Sequence, residues 1–320
     1  MKLEDILAAR ARIRRWIHKT PIMRSRQLEQ LIGCELHFKC ENLQKTGSFK
    51  ARGVSNFLTS QTNKAAIYTT YSSGNHGQAL AWGAREAGKH AIIFMPEDAS
   101  PAKVAAVRGY GSQVVFAGLS SSDRFEACTA YAQKEGACVV PPYDNELIIA
   151  GQGTAMLEVL EEVPMFDAAL LPVGGGGLLS GNAMVLAHQR SGSRVYACEP
   201  RLAADVQASL RSGTLQSIDY PATIADGLRN LSLGERNWAI VSRHVKEGLV
   251  CEEQTIRQVM ALYGQFLKLM VEPSGAVSLA CLWENRKRFA GARVIVYVSG
   301  GNIALPDYGK LVSQDELLTN

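Results

Sequence analysis

Residues 168–198 read AALLPVGGGGLLSGNAMVLAHQRSGSRVYAC, and the fold is decided there. Ala168–Val173 is an apolar run without alternation, the pattern of a strand covered on both faces. Four glycines, Gly174, Gly175, Gly176 and Gly177, follow it. Leu178 then opens an apolar helical stretch to about Gln189, and Arg194–Cys198 reads as a second strand. Strand, tight turn, helix, strand is the signature of a parallel pair joined by a crossover helix. A tetraglycine between a buried strand and a helix lets the backbone approach an anion closely, and the helix dipole adds attraction. A merely flexible turn is the alternative, but four glycines in an ordered core cost backbone entropy. The run lacks the lysine of a P-loop and is not a clean GxGxxG fingerprint.

The same alternation extends in both directions. Towards the N-terminus the periodicity predicts a helix over 3–17, a strand at Leu36–Lys39, and a helix from Ser48 to about Leu58 with Ser48 as its N-cap. Strands at Ala66–Thr70, Ala91–Met95 and Gln113–Phe116 then alternate with helices at Asn75–Ala87, 101–109 and 122–135, and a helix near 148–162 precedes the glycine unit. Beyond it, helices are expected near 202–211, 235–242, 252–269 and 274–288, and a last buried strand at Arg293–Val298. Residues 212–235 are the least regular. This is an α/β chain with open parallel sheets covered by helices. We divide it into a small mobile unit, 55–145, inserted in a larger one made of 1–54 and 146–320.

The 320 residues are 47% hydrophobic and 20% charged, enough for a large core. Lys plus Arg exceed Asp plus Glu by 34 − 30 = 4 without a basic run, which gives no footprint for nucleic acid. Seven scattered cysteines without a CxxC pair argue against a disulfide framework or zinc site and for a reducing cytoplasm. The N-terminus MKLEDILAARARIRRWI lacks the apolar core of a signal peptide. No stretch approaches the roughly 18 apolar residues of a membrane span.

Three further constellations fall at strand ends or on the helix starts behind them, where open parallel sheets bind ligands. In Glu41–Gly53, ENLQKTGSFKARG, Lys50 stands in the first turns of a helix. A cation is disfavoured there by the dipole, and burial would depress its pKa and make it a better amine nucleophile. In Ser72-Ser73-Gly74-Asn75-His76-Gly77-Gln78, small polar residues open a helix and can receive a carboxylate, or merely cap it. Ser299-Gly300-Gly301-Asn302 follows the last buried strand.

Together these motifs resemble the fold-type II pyridoxal 5'-phosphate enzymes of tryptophan synthase β-like architecture, specifically the serine/threonine dehydratase and serine racemase family. The likeness spans roughly residues 5–310 and includes Ala150-Gly151-Gln152-Gly153-Thr154, Cys198-Glu199-Pro200, Ile224-Ala225-Asp226-Gly227 and Glu272-Pro273-Ser274-Gly275. The resemblance implies that Lys50 bonds the cofactor covalently and acts as base, and that Gly174 to Gly177 with Leu178 cradle its phosphate. It further implies that Asn75 bonds the ring 3'-oxygen, that Phe49 packs on the ring and that Ser299 faces the pyridine nitrogen. A neutral hydroxyl at that nitrogen leaves the ring less electron-poor than a carboxylate would, which favours loss of a β-hydroxyl over transamination. Ser72, Ser73, Asn75 and His76 would receive the substrate, with Ser73 placed to move a proton on the opposite face, as in the racemases. Glu199, Asp205 and the carbonyl of Ala203 are similar to the divalent-cation site (Mg, Ca or Mn) of the racemase-like branch. A small β-hydroxy amino acid such as L-serine, L-threonine or 3-hydroxyaspartate is the implied substrate, and a homodimer the implied assembly. Two departures stand near the substrate side: Tyr143-Asp144, and Leu228-Arg229-Asn230, whose arginine would suit an acidic substrate.

Overall fold

The computed structural model describes residues 1–60, 65–72, 74–188 and 192–313. Among the described residues ten strands are formed: β1 (Ile22–Met23), β2 (Glu35–Cys40), β3 (Ile67–Thr70), β4 (His90–Met95), β5 (Gln113–Phe116), β6 (Cys138–Val139), β7 (Ala168–Pro172), β8 (Arg194–Pro200), β9 (Val245–Cys251) and β10 (Arg293–Val298). The helices are α1 (Leu3–Ile13), α2 (Arg26–Ile32), α3 (Lys50–Thr59), α4 (Asn75–Glu86), α5 (Pro101–Gly109), α6 (Ser121–Glu135), α7 (Glu146–Glu162), α8 (Gly177–His188), α9 (Asp205–Ser212), α10 (Glu235–His244), α11 (Glu253–Leu262), α12 (Pro273–Glu284) and α13 (Leu305–Val312).

Two sheets result. The larger runs β1-β2-β10-β7-β8-β9 and is parallel except for β1, which pairs antiparallel with β2. The smaller runs β5-β4-β3-β6 and is wholly parallel. The continuous apolar reading of β7 is matched by its burial from end to end. Side chains alternate across a strand, and β10 shows the consequence. Val294, Val296 and Val298 enter one core with α11 and α12, while Ile295 and Tyr297 enter the other with α7 and α8. The α/β expectation therefore holds, with helices on both faces of the large sheet.

The two sheets confront each other through their carboxyl edges. β10 lies between β2 and β7, with Val298 opposite Cys40 and Val296 opposite Leu170. The segments leaving these three strands, which carry Lys50, Ser299 and the glycine run, are thereby neighbours. From the small sheet, β3 leads to Ser72 and α4, and β6 leads to Pro142 and Tyr143.

Candidate active site

Lys50 is the first residue of α3, and Ser48 is not its cap. The N-cap position is Phe49, without a side-chain cap bond. Ser48 instead pairs in an antiparallel bridge with Gly300, its hydroxyl buried and unpartnered. The bridge, with the Phe49 N–H donating to the Ser299 carbonyl at 3.1 Å, ties the start of α3 to the end of β10. The turn before it is tight: Thr46 and Gly47 both have positive φ, at 59° and 72°. The Lys50 amine donates to the Pro142 carbonyl at 2.8 Å and stands 5.1 Å from the centre of the Phe49 ring. Burial lowers its pKa from 10.5 to about 8, the direction expected from its position in the sequence.

The glycine run is a cradle closed by neighbours. A Cβ on Gly174 would strike Asn230 and the Leu228 backbone, one on Gly175 the Tyr143 ring, and one on Gly176 Leu233 and Asn237. Gly176 has φ +98°, which glycine adopts at little cost. α8 begins at Gly177, so the N–H groups of its first turn, Leu178 among them, have no intrahelical acceptor. This is the backbone of an anion site.

Across from it, Asn75 opens α4. Its side-chain amide donates to Glu272 Oε1 at 2.7 Å, and its Oδ1 accepts from Asn302 Nδ2 at 2.7 Å. The amide orientation is fixed by groups of the large sheet. Burial first, and the Asp226 charge second, raise Glu272 to about 8. His76 Nε2 donates to the Val140 carbonyl at 3.0 Å, leaving Nδ1 buried and without a partner. Burial, then the Lys50 charge, pushes His76 down to about 3, so it is a neutral acceptor at that nitrogen. Ser72 is half-buried, its hydroxyl accepting from Gly74 N. Ser73 lies outside the described residues. Ser299 is buried, with a long 3.5 Å contact to the Ser274 carbonyl.

Two residues noted in the sequence only as departures belong to this site. Tyr143 lies on Gly175 and Gly177, and its hydroxyl is hydrogen-bonded by Asn230, which itself covers Gly174. Arg229 does not join them. Its Nε and Nη2 donate to the Thr223 carbonyl at 2.8 and 2.6 Å. Gly227 N donates to Ser274 Oγ at 2.9 Å, which draws the 226–230 segment against the start of α12.

Glu199, Ala203 and Asp205 form a separate group at the end of β8. All three are buried. The Glu199 carboxylate accepts Val206 N at 2.9 Å and Gln207 N at 2.7 Å, and so caps α9. Asp205 Oδ2 is buried without a partner. Burial raises Asp205 to about 7; burial and the Asp205 charge raise Glu199 well above the ordinary range. Two mutually repelling carboxylates, one oxygen unsatisfied, fit a hard cation with oxygen ligands. Among the described residues no set of three His, Cys, Asp or Glu side chains could hold a metal, so any such ion would need backbone or water ligands. No helix of the described residues is long and apolar enough to cross a membrane.

Comparison with known proteins places this geometry. The family described as "Pyridoxal-phosphate dependent enzyme" matches residues 13–300. The serine racemase of Schizosaccharomyces pombe is 39% identical over 314 residues, covering 97% of each chain. The L-threo-3-hydroxyaspartate ammonia-lyase of Saccharomyces cerevisiae is 38% identical over 314 residues, covering 98% of this chain and 96% of its own. The solved structure of maize serine racemase superposes with a TM-score of 0.92 at 34% identity, covering 98% of this chain and 97% of that one.

Proposed function

Since the chain belongs to the family of pyridoxal-phosphate dependent enzymes, we propose that it removes water and ammonia from a small β-hydroxy amino acid, giving a 2-oxo acid, with Lys50 holding the cofactor. The observation that carries this reading is the placement of one buried amine of lowered pKa, Lys50, on the same sheet edge as the tetraglycine nest.

When bound, pyridoxal phosphate supplies an aldehyde for covalent attachment and a conjugated ring that delocalises charge from the substrate α-carbon. The residues present suit it: Gly174 to Gly177 and Leu178 would hold the phosphate, Phe49 would lie on the ring, Asn75 would meet the 3'-oxygen and Ser299 the pyridine nitrogen. Lys50 Nζ would attach the cofactor and, as a buried amine of lowered pKa, would serve as the base for the substrate α-proton. Ser72, Asn75 and His76 would receive the substrate carboxylate, His76 through its backbone N–H in the first turn of α4 while its neutral imidazole is held by the Val140 carbonyl. Tyr143 and Asn230 cover the glycine nest and exclude water from it. We further propose that Glu199, Asp205 and the Ala203 carbonyl hold Mg²⁺, Ca²⁺ or Mn²⁺, that the unit 55–145 moves as a small domain, and that the enzyme is a cytoplasmic homodimer.

Racemisation of serine is the second reading, favoured by the 39% identity to a serine racemase and by the serine at position 73, whose hydroxyl would move a proton on the face opposite Lys50.

The test uses purified protein loaded with cofactor. An absorbance band at about 410–420 nm should bleach with borohydride and leave the label on Lys50. Lys50→Ala should lower turnover by at least ~10³-fold, the scale of a lost base in addition to a lost attachment. With L-serine, L-threonine and L-threo-3-hydroxyaspartate, keto acid should form. D-serine from L-serine in excess of pyruvate would replace the first reading by the second. Burial disfavours the ammonium form, so the free amine of cofactor-free protein is half neutral at about pH 8. The rate of cofactor attachment should therefore rise with pH up to about 8 and level off above it.

A further inference from the structure

Beneath the site lies a group of four charged side chains from three parts of the fold. Lys39 is on β2, Glu41 directly follows it, Arg52 is on α3 and Glu158 on α7. Lys39, Glu41 and Arg52 are wholly buried, and Glu158 is 9% exposed at its side chain. Arg52 Nε and Nη2 donate to the two oxygens of Glu41 at 2.7 and 2.8 Å. Its Nη1 and Nη2 donate to the two oxygens of Glu158 at 2.7 and 2.8 Å. Lys39 Nζ donates to Glu158 Oε2 at 2.6 Å and to the Thr20 carbonyl at 2.8 Å, and Thr20 Oγ1 donates to Glu41 Oε1 at 2.5 Å. The two cations and two anions balance.

Stability alone does not account for such a group. Buried ion networks are commonly replaceable by apolar side chains at little or no net loss of stability, because desolvation offsets the attraction. Geometry gives a different account. Arg52 follows Lys50 by two residues, about 200° around the helix, so the two leave opposite faces of α3. Both carboxylates grip the planar fork at two points, a contact that fixes rotation as well as distance. At the next residue α3 meets α7 backbone to backbone: a Cβ on Gly151 would strike Gly53 Cα and the Arg52 carbonyl, and Gly53 N donates to Gln152 Oε1 at 3.2 Å. Neither Gly53 nor Gly151 puts a Cβ between the two backbones to hold them apart.

We propose that Arg52 is a positioning residue: clamped by Glu41 and Glu158 on the far face of α3, it sets the height and rotation of the helix turn from which Lys50 reaches the cofactor. This rests on the reading that Lys50 carries the cofactor.

The discriminating variant is R52M/E41Q, which removes one charge of each sign and leaves the Lys39–Glu158 pair intact. In holoenzyme four quantities are read: thermal midpoint, kcat, KM, and visible circular dichroism of the 410–420 nm band per bound cofactor. The expected result is a folded protein with its midpoint little changed, kcat lower by ~10–100-fold, as a misplacement of about 1 Å produces, KM within ~3-fold, and an altered dichroic amplitude. R52K should share the defect, because an ammonium cannot make two two-point contacts. If the double variant is recovered unfolded, R52K, which conserves charge, is read in the same way. Wild-type kcat and dichroism in a folded variant would overturn the proposal, as would a loss of kcat matching only the cofactor-free fraction. Absence of the band in wild-type protein, or its persistence in Lys50→Ala, would instead overturn the cofactor reading.

Discussion

The two sheets of this molecule present loops to the same site but are built differently. In the large sheet, β7 is buried throughout and β10 nearly so, between two extensive cores. In the small sheet, β5 has no fully buried residue, and Phe116 and Leu119 at its end are exposed. The large sheet contributes Lys50, Ser299 and the glycine run, each fixed by backbone contacts. The small sheet contributes Ser72, Asn75, His76 and Tyr143. The difference suggests a division of labour. In the assignment proposed above, Asn75 excepted, the groups that would hold the cofactor stand on the doubly covered sheet, and the groups that would receive and release substrate stand on the thinner one.

If that division is right, damage to the two edges should separate kinetically. The largest effect belongs to the large sheet. Gly175 does not have the left-handed φ that excludes alanine, but a Cβ there would meet the Tyr143 ring. Gly175→Ala should weaken cofactor affinity by ~10–100-fold, the loss of one to two good contacts to an anion. Spectral titration with pyridoxal phosphate measures it. Unchanged affinity would place the phosphate elsewhere.

Next comes the acidic pair at the end of β8, on the large sheet but away from Lys50 in sequence and contacts. The Lys39–Arg52 group balances its charges internally; the Glu199–Asp205 pair does not. A divalent cation at 100 times its Kd should stabilise the protein by ~2.7 kcal/mol, seen as a rise of several degrees in the thermal midpoint. Asp205→Asn should abolish the rise while leaving the cofactor band. A rise of equal size in that variant would move the ion to another place.

On the small sheet, Ser72→Ala should raise KM by ~5–10-fold, the worth of one ordinary hydrogen bond, with cofactor affinity unchanged. A loss of cofactor instead would remove the distinction between the two edges.

The sequence carried the large sheet's side of this comparison well. The apolar run of Arg293–Val298 has the observed boundaries, and the glycine run announced its own turn; on the small sheet Gln113–Phe116 was also bounded correctly. β9 was missed because Val-Lys-Glu-Gly-Leu-Val-Cys mixes charge and glycine; its pairing with β8 and its bulge are tertiary. α2 was missed although its signals were local: Ser25 accepts from Leu28 N as N-cap, and Gly33 ends the helix with φ 85°. Tyr143 and Asn230 could not be assigned contacts because they reach the glycines from segments about 30 and 55 positions away. The Ser48 cap failed because a β-bridge to Gly300, more than 250 residues away, pulled that residue out of the helix.

The smallest effect tests whether the two sheet units move against one another. Lys103, on α5 of the small unit, forms an ion pair with Asp226, beside Gly227 and Ser274 in the large one. Both side chains are about a third exposed, so the pair should contribute little to global stability, within the ~0–1 kcal/mol of surface pairs. It ties α5 to the segment whose Asn230 covers Gly174, so on the proposed division into two units its loss should favour an open arrangement. Lys103→Ala is expected to raise KM by less than ~5-fold, an energy within the range of surface pairs, and to leave the thermal midpoint within a degree or two. The charge-swapped pair Lys103→Asp with Asp226→Lys should restore KM. High salt should reproduce the single variant in wild-type protein, because an exposed pair is screened. A KM insensitive to both substitution and salt would mean that the two units keep one arrangement throughout turnover, and the contrast between sheets would then be one of packing alone.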